Sequence, residues 1–342
     1  MARPAALALA VLFTWALVAC TPRLLAPGPH AEAPVAPALD ADALRTADGL
    51  RLPLRSWLPP DGTQVQAAVV ALHGFNDYSN AFAKPADWLA ARGFAVYAYD
   101  QRGFGATPGA GKWAGAAAMA DDLRAMLGLV RARHPGIPTH ALGLSMGGAV
   151  VLAALGPDAE AGGGLDADSF VLVGPAVWGR ATMPAYQSLA LWLAAHTVPW
   201  LRLTARGLDV TPSDNVEMLR ALSRDPLVIK ETRVDAIWGL VGLMDLALEA
   251  TAHLDRPALV LYGSRDEVIP TAAARAMLAR LPPTGDGRPR IAVYDAGYHM
   301  LLRDLQAEIV WRDIAAWLED PAARLPSGAD ARDPLAALAG RD

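Results

Sequence analysis

Thr139-His140-Ala141-Leu142-Gly143-Leu144-Ser145-Met146-Gly147-Gly148-Ala149-Val150-Val151-Leu152-Ala153-Ala154-Leu155 decides the fold. Its first six residues are an apolar run of strand length, and from Gly147 to Leu155 it is rich in Ala and Val, as a buried helix is. Between the two, Gly143-Leu144-Ser145-Met146-Gly147 fits G-x-S-x-G in the strand-turn-helix context that the pattern requires. Glycines two before and two after the serine are expected because side chains flanking so sharp a turn would collide. The same strain holds the Ser145 hydroxyl out at the carboxyl end of a sheet. A Gly-rich turn with an incidental serine would give the same five letters. The case for a nucleophile therefore depends on what lies further along the chain.

Short apolar runs ending in Gly, Asp or His alternate with helical patterns on both sides of this stretch. The strand candidates are Ala67 to Leu72, Ala95 to Tyr99, Thr139 to Leu144, Ser169 to Val173, Ala258 to Tyr262 and Arg290 to Tyr294. Ala114 to His134, Thr271 to Leu281 and Gln306 to Leu318 carry apolar residues at helical spacing. The alternation predicts an α/β domain, a mostly parallel sheet covered by helices, over residues 41–320. From Pro175 to about Ala252 the pattern breaks. No buried strand is evident there, but Trp178, Trp192, Trp200 and Trp238 are, which predicts a helical cap inserted between two strands. Tyr186 to Leu203 is nearly free of charge, so its apolar groups either pack among themselves or face lipid or an acyl chain. Residues 321–342 read as a C-terminal tail, frayed from Ser327 onward.

A serine hydroxyl becomes a good nucleophile when a histidine removes its proton, and the histidine needs a carboxylate to fix its tautomer. In a sheet of this kind the chain order is serine, acid, histidine. Asp266 follows the strand candidate Ala258 to Tyr262 through Gly263-Ser264-Arg265, and His299 follows Arg290 to Tyr294 through Asp295-Ala296-Gly297-Tyr298. Asp266 is thus the expected acid and His299 the expected base. Asp295 and Glu267, and His140, His196 and His253, are of the right residue types but lack a matching position. An oxyanion calls for two backbone N–H donors, expected from Met146, after the serine, and from Phe75, after the strand ending at Leu72. His73 is expected to prop that loop, and Asp100 and Arg102 read as a structural loop pair. No His or Cys cluster has metal-ligand spacing and no loop has the form that cradles phosphate, so the sequence implies neither metal nor cofactor.

The chain of 342 residues suits one catalytic domain with embellishments. A net charge of -5 with scattered arginines argues against a nucleic-acid partner. At the N-terminus, Arg3 and an apolar stretch from Ala5 to Ala19 have the layout of a signal peptide. Leu17-Val18-Ala19-Cys20 resembles the lipobox of bacterial lipoproteins, and Cys20 is the one cysteine in the chain. The expectation is removal of residues 1–19, lipidation of Cys20, and a Pro/Ala-rich tether over residues 20–40 that holds the enzyme at a membrane surface in the cell envelope. Thr21, where an Asp would retain the protein at the inner membrane, points to the outer one.

From about Ala67 to Trp317 the sequence resembles the monoacylglycerol lipase and lysophospholipase-like group of α/β-hydrolases, also catalogued with serine aminopeptidases. The matching stretches are Leu72-His73-Gly74, Tyr99-Asp100 through Arg102-Gly103-Phe104-Gly105, Gly143 to Gly148, Asp225-Pro226-Leu227, Tyr262 to Asp266 and Gly297-Tyr298-His299. The resemblance implies an α/β-hydrolase fold, a capped apolar acyl pocket and hydrolysis of single-chain esters. The chain departs from the group after Gly74, where Phe75-Asn76-Asp77-Tyr78-Ser79 replaces a Gly-Glu-His type sequence. Phe75 there would narrow the acyl-side wall. An aminopeptidase would need an acidic subsite, for which the insertion offers Glu217, Glu231, Asp235, Asp245 and Glu249. A non-catalytic scaffold is the remaining reading, since a fold does not by itself confer function.

Overall fold

The structure, a computed structural model, describes residues 21–156, 164–204, 207, 209–282 and 289–339. The expected leader 1–19, Cys20 and the last three residues of the tail lie outside these.

The central strands are apolar on both sides, and the structure uses both. In Ala67–Leu72, Ala68, Val70 and Leu72 enter one core and Ala67, Val69 and Ala71 the other, the period of two that a strand imposes. In chain order the strands are β1 (Ala38–Leu39), β2 (Ala43–Arg45), β3 (Arg51–Trp57), β4 (Ala67–Leu72), β5 (Phe94–Tyr99), β6 (Thr139–Leu144), β7 (Ser169–Val173), β8 (Arg202–Thr204), β9 (Glu231–Arg233), β10 (Ala258–Gly263) and β11 (Arg290–Tyr294). The main sheet runs β1-β2-β3-β5-β4-β6-β7-β10-β11. It is antiparallel from β1 to β5 and parallel from there to β11.

The helices are α1 (Ala83–Ala90), α2 (Ala116–Arg133), α3 (Met146–Ala153), α4 (Ala185–Thr197), α5 (Val216–Arg224), α6 (Val234–Ala250), α7 (Thr271–Leu278), α8 (Ala307–Glu319) and α9 (Pro334–Ala339). Leu89 of α1 and Ile314 and Trp317 of α8 cover one face of the sheet. On the other face lie Leu123 and Met126 of α2, Val150 and Val151 of α3, Leu248 of α6 and Met277 of α7. All six strands and the three helices read from the sequence are present, shifted by a few residues at their ends.

Four expectations are corrected. The cap is shorter than 175–252, because α6 packs on α3 and sends Val241, Leu243, Met244 and Leu248 into the main core. Its apolar residues run all round the helix, which hides the boundary in the sequence. The cap also contains strands: β8 and β9 form a separate antiparallel pair, with Leu203 opposite Thr232. Residues 21–39 are no free tether. Leu25 N–H donates to Trp113 O at 2.7 Å, Gly28 N–H to Asp48 Oδ2 at 2.7 Å and Val35 N–H to Ala47 O at 2.9 Å, and β1 joins the sheet edge. The tail likewise packs instead of fraying. Asp313, fully buried in α8, needs donors for its carboxylate, and Ser327 supplies its N–H at 3.0 Å and its hydroxyl at 2.5 Å, while Leu325 and Leu338 are buried.

His140 of β6 is a packing residue, with Nδ1 2.8 Å from Ser169 Oγ. Burial lowers its pKa to about 4. The unfolded imidazole titrates near 6.5, so between the two values the unfolded chain holds more protons and stability falls as pH drops. His73, also buried and lowered, acts in the same direction. Urea unfolding of the wild type should show stability falling from pH 6.5 to pH 4. His140→Gln should remove about 3 kcal/mol of that fall, and an unchanged slope would contradict this account.

Candidate active site

The site begins with the turn between β6 and α3. Ser145 has φ 53° and ψ -114°, a conformation L-residues rarely adopt, so its backbone is strained. The glycines show why. A Cβ on Gly143 would lie 2.5 Å from the Gly148 backbone, and one on Gly147 would lie 2.2 Å from Leu72 O of β4. The first collision is the one expected across the turn; the second is with the neighbouring strand. Ser145 N–H donates to Val173 O at 2.9 Å, and Ser145 O accepts from Ala149 and Ala176, which fixes the turn from both sides.

Three side chains meet there. Ser145 Oγ lies 3.0 Å from His299 Nε2, and His299 Nδ1 lies 3.0 Å from Asp266 Oδ2. Asp266 Oδ1 accepts the N–H groups of Val268 and Ile269, each at 2.9 Å. Burial alone would raise the Asp266 pKa. The charge and hydrogen bond of His299 and the two N–H groups outweigh it and hold the carboxyl below its usual range. The loops bearing acid and base are tied together, with Arg265 N–H donating to Gly297 O and Ser264 N–H to Tyr294 O, both at 2.8 Å. A hydroxyl so placed can pass its proton to His299, whose imidazolium the Asp266 carboxylate would stabilise.

The loop after β4 lies against the serine: a Cβ on Gly74 would come 3.4 Å from Ser145 Cβ. Phe75 is therefore next to the elbow, and Met146 supplies the first N–H of α3, which has no partner within its own helix. The Phe75 ring packs edge-on to Phe104 at 5.5 Å and tilted to Trp113 at 6.5 Å. His73 props the loop as its sequence position suggests. Burial lowers its pKa and keeps it neutral; the ring nitrogens engage Gly74 O at 2.8 Å and Gln101 N–H at 2.9 Å.

Asp100 and Arg102 are both structural, but each has other partners. Asp100 accepts the N–H groups of Ser79 and Ala106, and Arg102 forks onto Asp122 and Asp48. The other candidates are engaged elsewhere. Asp295 pairs with Arg332, and Glu267 accepts Thr211 N–H at 2.6 Å. His196 of α4 in the cap lies against Trp192 of the same helix and Trp238 of α6, and His253 is exposed after α6. Of the acids offered for a peptide amine, Asp235 is paired with Arg233 and Asp245 with Arg180.

Sequence reasoning missed several residues around the site. Gly174, at φ 49°, lies under the relay, where a Cβ would be 3.4 Å from His299 Nδ1; a glycine directly after β7 was the available signal. Arg303 joins Asp77 at 2.5 Å in a nearly buried ion pair, linking the loop after His299 to the loop after Gly74. Asp304, raised by burial, accepts Ser213 Oγ at 2.6 Å and Tyr298 N–H at 2.8 Å. Tyr78 OH reaches the cap, donating to Asp225 Oδ2 at 2.7 Å. These are tertiary pairings, invisible in local spacing.

A serine, histidine and aspartate so aligned at the carboxyl edge of this sheet define the class: a serine hydrolase of the α/β-hydrolase fold. More narrowly, the chain belongs to the serine aminopeptidase S33 family, whose profile matches residues 63–306. It is 28% identical over 275 residues to the monoacylglycerol lipase of Mycolicibacterium smegmatis, covering 79% of this chain and 93% of that one. It is 27% identical to the human monoglyceride lipase, covering 82% and 91%. The crystal structure of the Paleococcus ferrophilus monoacylglycerol lipase shares the fold, with a TM-score of 0.64 at 22% identity over 78% of this chain and 98% of that one.

The substitution Asp266→Asn would keep the Oδ1 acceptor but turn an NH2 group toward His299 Nδ1, enforcing the wrong tautomer. A fluorophosphonate probe should label the wild type rapidly, Asp266→Asn roughly a thousand- to ten-thousandfold more slowly, and Ser145→Ala not at all. Rapid labelling of the Asp266→Asn variant, followed by gel fluorescence, would remove Asp266 from the relay.

Proposed function

We propose that this protein hydrolyses carboxylic esters of single-chain lipids, of the monoacylglycerol or lysophospholipid kind, through an acyl-enzyme on Ser145. The observation that carries the reading is the relay of two 3.0 Å contacts from Ser145 through His299 to Asp266. The monoacylglycerol lipases among the relatives support the lipid ester as substrate. Ser145 Oγ attacks the ester carbonyl while His299 Nε2 takes its proton, and the N–H groups of Phe75 and Met146 hold the oxyanion. The tetrahedral intermediate collapses, and the alcohol leaves with the proton from His299. Water then repeats the sequence against the acyl-enzyme, and the acid is released.

The cap supports a lipid-facing orientation. Ala195 is the one buried residue of α4, and Tyr186, Leu189, Trp192, Leu193, Trp200, Leu201 and Leu203 are exposed around it. So large an apolar patch marks an interaction surface. In our reading it meets the bilayer, with lipid on Cys20 holding the protein in the cell envelope, at the outer membrane.

A panel of p-nitrophenyl and single-chain glycerol esters set against aminoacyl anilides tests the activity. Ester turnover should dominate across the panel, and turnover confined to anilides would make the protein a peptidase. Sedimentation of residues 21–342 with phospholipid vesicles tests the surface. Trp192→Ala and Trp200→Ala should each weaken binding roughly tenfold, about 1.4 kcal/mol, while hydrolysis of a water-soluble ester stays unchanged.

A further inference from the structure

The residue after the expected oxyanion donor is held by the cap. Asn76 has φ 64°, one of two non-glycine residues with positive φ among those described. It closes a turn in which Asp77 N–H approaches Gly74 O at 3.3 Å, a geometry that Asn or Gly accommodates at that position. The turn explains the backbone but not the side chain. Asn76 Nδ2 donates to Thr232 Oγ1 at 2.6 Å, and Asn76 O accepts Ile229 N–H at 2.9 Å. Both partners belong to the cap, 153 and more residues away along the chain.

Thr232 is the middle residue of β9 and lies opposite Leu203 of β8. That pair is extended by Val234 N–H to Leu201 O at 2.9 Å and Asp235 N–H to Pro199 O at 3.0 Å. A hydrogen-bonded path therefore runs from the cap into the turn: Ile229 N–H meets Asn76 O, and Asp77 N–H of that same peptide unit meets Gly74 O, whose peptide unit carries the Phe75 N–H. The Asn76 side chain ties the turn to Thr232 and so to the exposed apolar edge of the cap. Hydrolysis depends on where the Phe75 N–H points, since oxyanion donors act only when aimed at the charge that develops. The anchoring of Asn76 at both its carbonyl and its side chain fixes that aim from the cap side, just as Arg303 and Asp77 fix the loop from the body side.

We propose that Asn76 and Thr232 are positioning residues that let the cap set the oxyanion donor. Transition-state stabilisation then depends on the placement of the β8–β9 pair. The inference rests on the ester-hydrolase reading and on Phe75 N–H as the donor.

The test uses full-length Asn76→Gly, Thr232→Val, the double variant and Thr232→Ser, assayed with a water-soluble p-nitrophenyl ester. Gly retains the turn and loses the amide, Val retains the shape and loses the acceptor, and Ser restores the acceptor. Three quantities are measured: kcat and KM separately, the inhibition constant of a trifluoromethyl ketone that forms a tetrahedral adduct, and the thermal midpoint. Expected is a roughly tenfold fall in kcat for each single variant, with KM little changed and the ketone weakened by a similar factor. The double variant should be no worse than either single one, because both break the same bond, and Thr232→Ser should recover the rate. An unchanged kcat in Thr232→Val overturns the proposal. So does a fall that follows the thermal midpoint while ketone affinity holds. A wild type that turns over no ester overturns the functional reading instead, which separates the two failures.

Discussion

The close approach of α3 to the sheet constrains everything else at the site. Gly147 sits under Leu72 O and Gly143 against Gly148 with no space for a methyl group at either position, so the chain must reverse within one residue. That residue is Ser145, and its backbone takes the strain, of the order of 1–3 kcal/mol for such conformations. The strain is tolerated because the turn is bonded to Val173, Ala149 and Ala176. With the serine raised off the sheet edge, His299 and Asp266 reach it from the ends of β11 and β10, and Gly174 leaves space beneath them.

Features fixed by local geometry were legible in the sequence. The elbow needs glycines at set distances, buried parallel strands need continuous apolar runs, and acid and base must follow strand ends in a given order. Ser145, Asp266 and His299 could therefore be singled out, and the structure brings these three together. What escaped was non-local. β3 was missed because its Arg51, Arg55 and Pro53 dilute the alternation expected of a strand half-covered by the body. α6 hid within the cap because both parts are rich in apolar residues. Arg102 read as the partner of Asp100, its near neighbour in sequence, while its actual carboxylates are 20 and 54 positions away.

The departure from the family pattern after Gly74 acquires a physical meaning from these contacts. Asn76, Asp77 and Tyr78 each bond to a different element: Thr232 and Ile229 in the cap, Arg303 after His299, and Asp225 in the cap again. The loop is a junction between body and cap. Substitutions in it would alter several contacts at once, so sequence change on one side of the junction should be accompanied by change on the other.

The docking of residues 21–39 has a consequence for whatever precedes them. The segment is pinned from Leu25, whose N–H meets Trp113, and Trp113 in turn touches the Phe75 ring and lies against Gly239 of α6. Five residue steps separate position 20 from that pin, a reach of roughly 17 Å when fully extended. Any group carried at position 20 can therefore stand no further than that from the Leu25–Trp113 contact. Under the lipidation of Cys20 proposed above, attachment would hold the Trp113 and Phe75 side of the enzyme within that distance of the bilayer, and the encounter with a lipid ester would become a search in two dimensions.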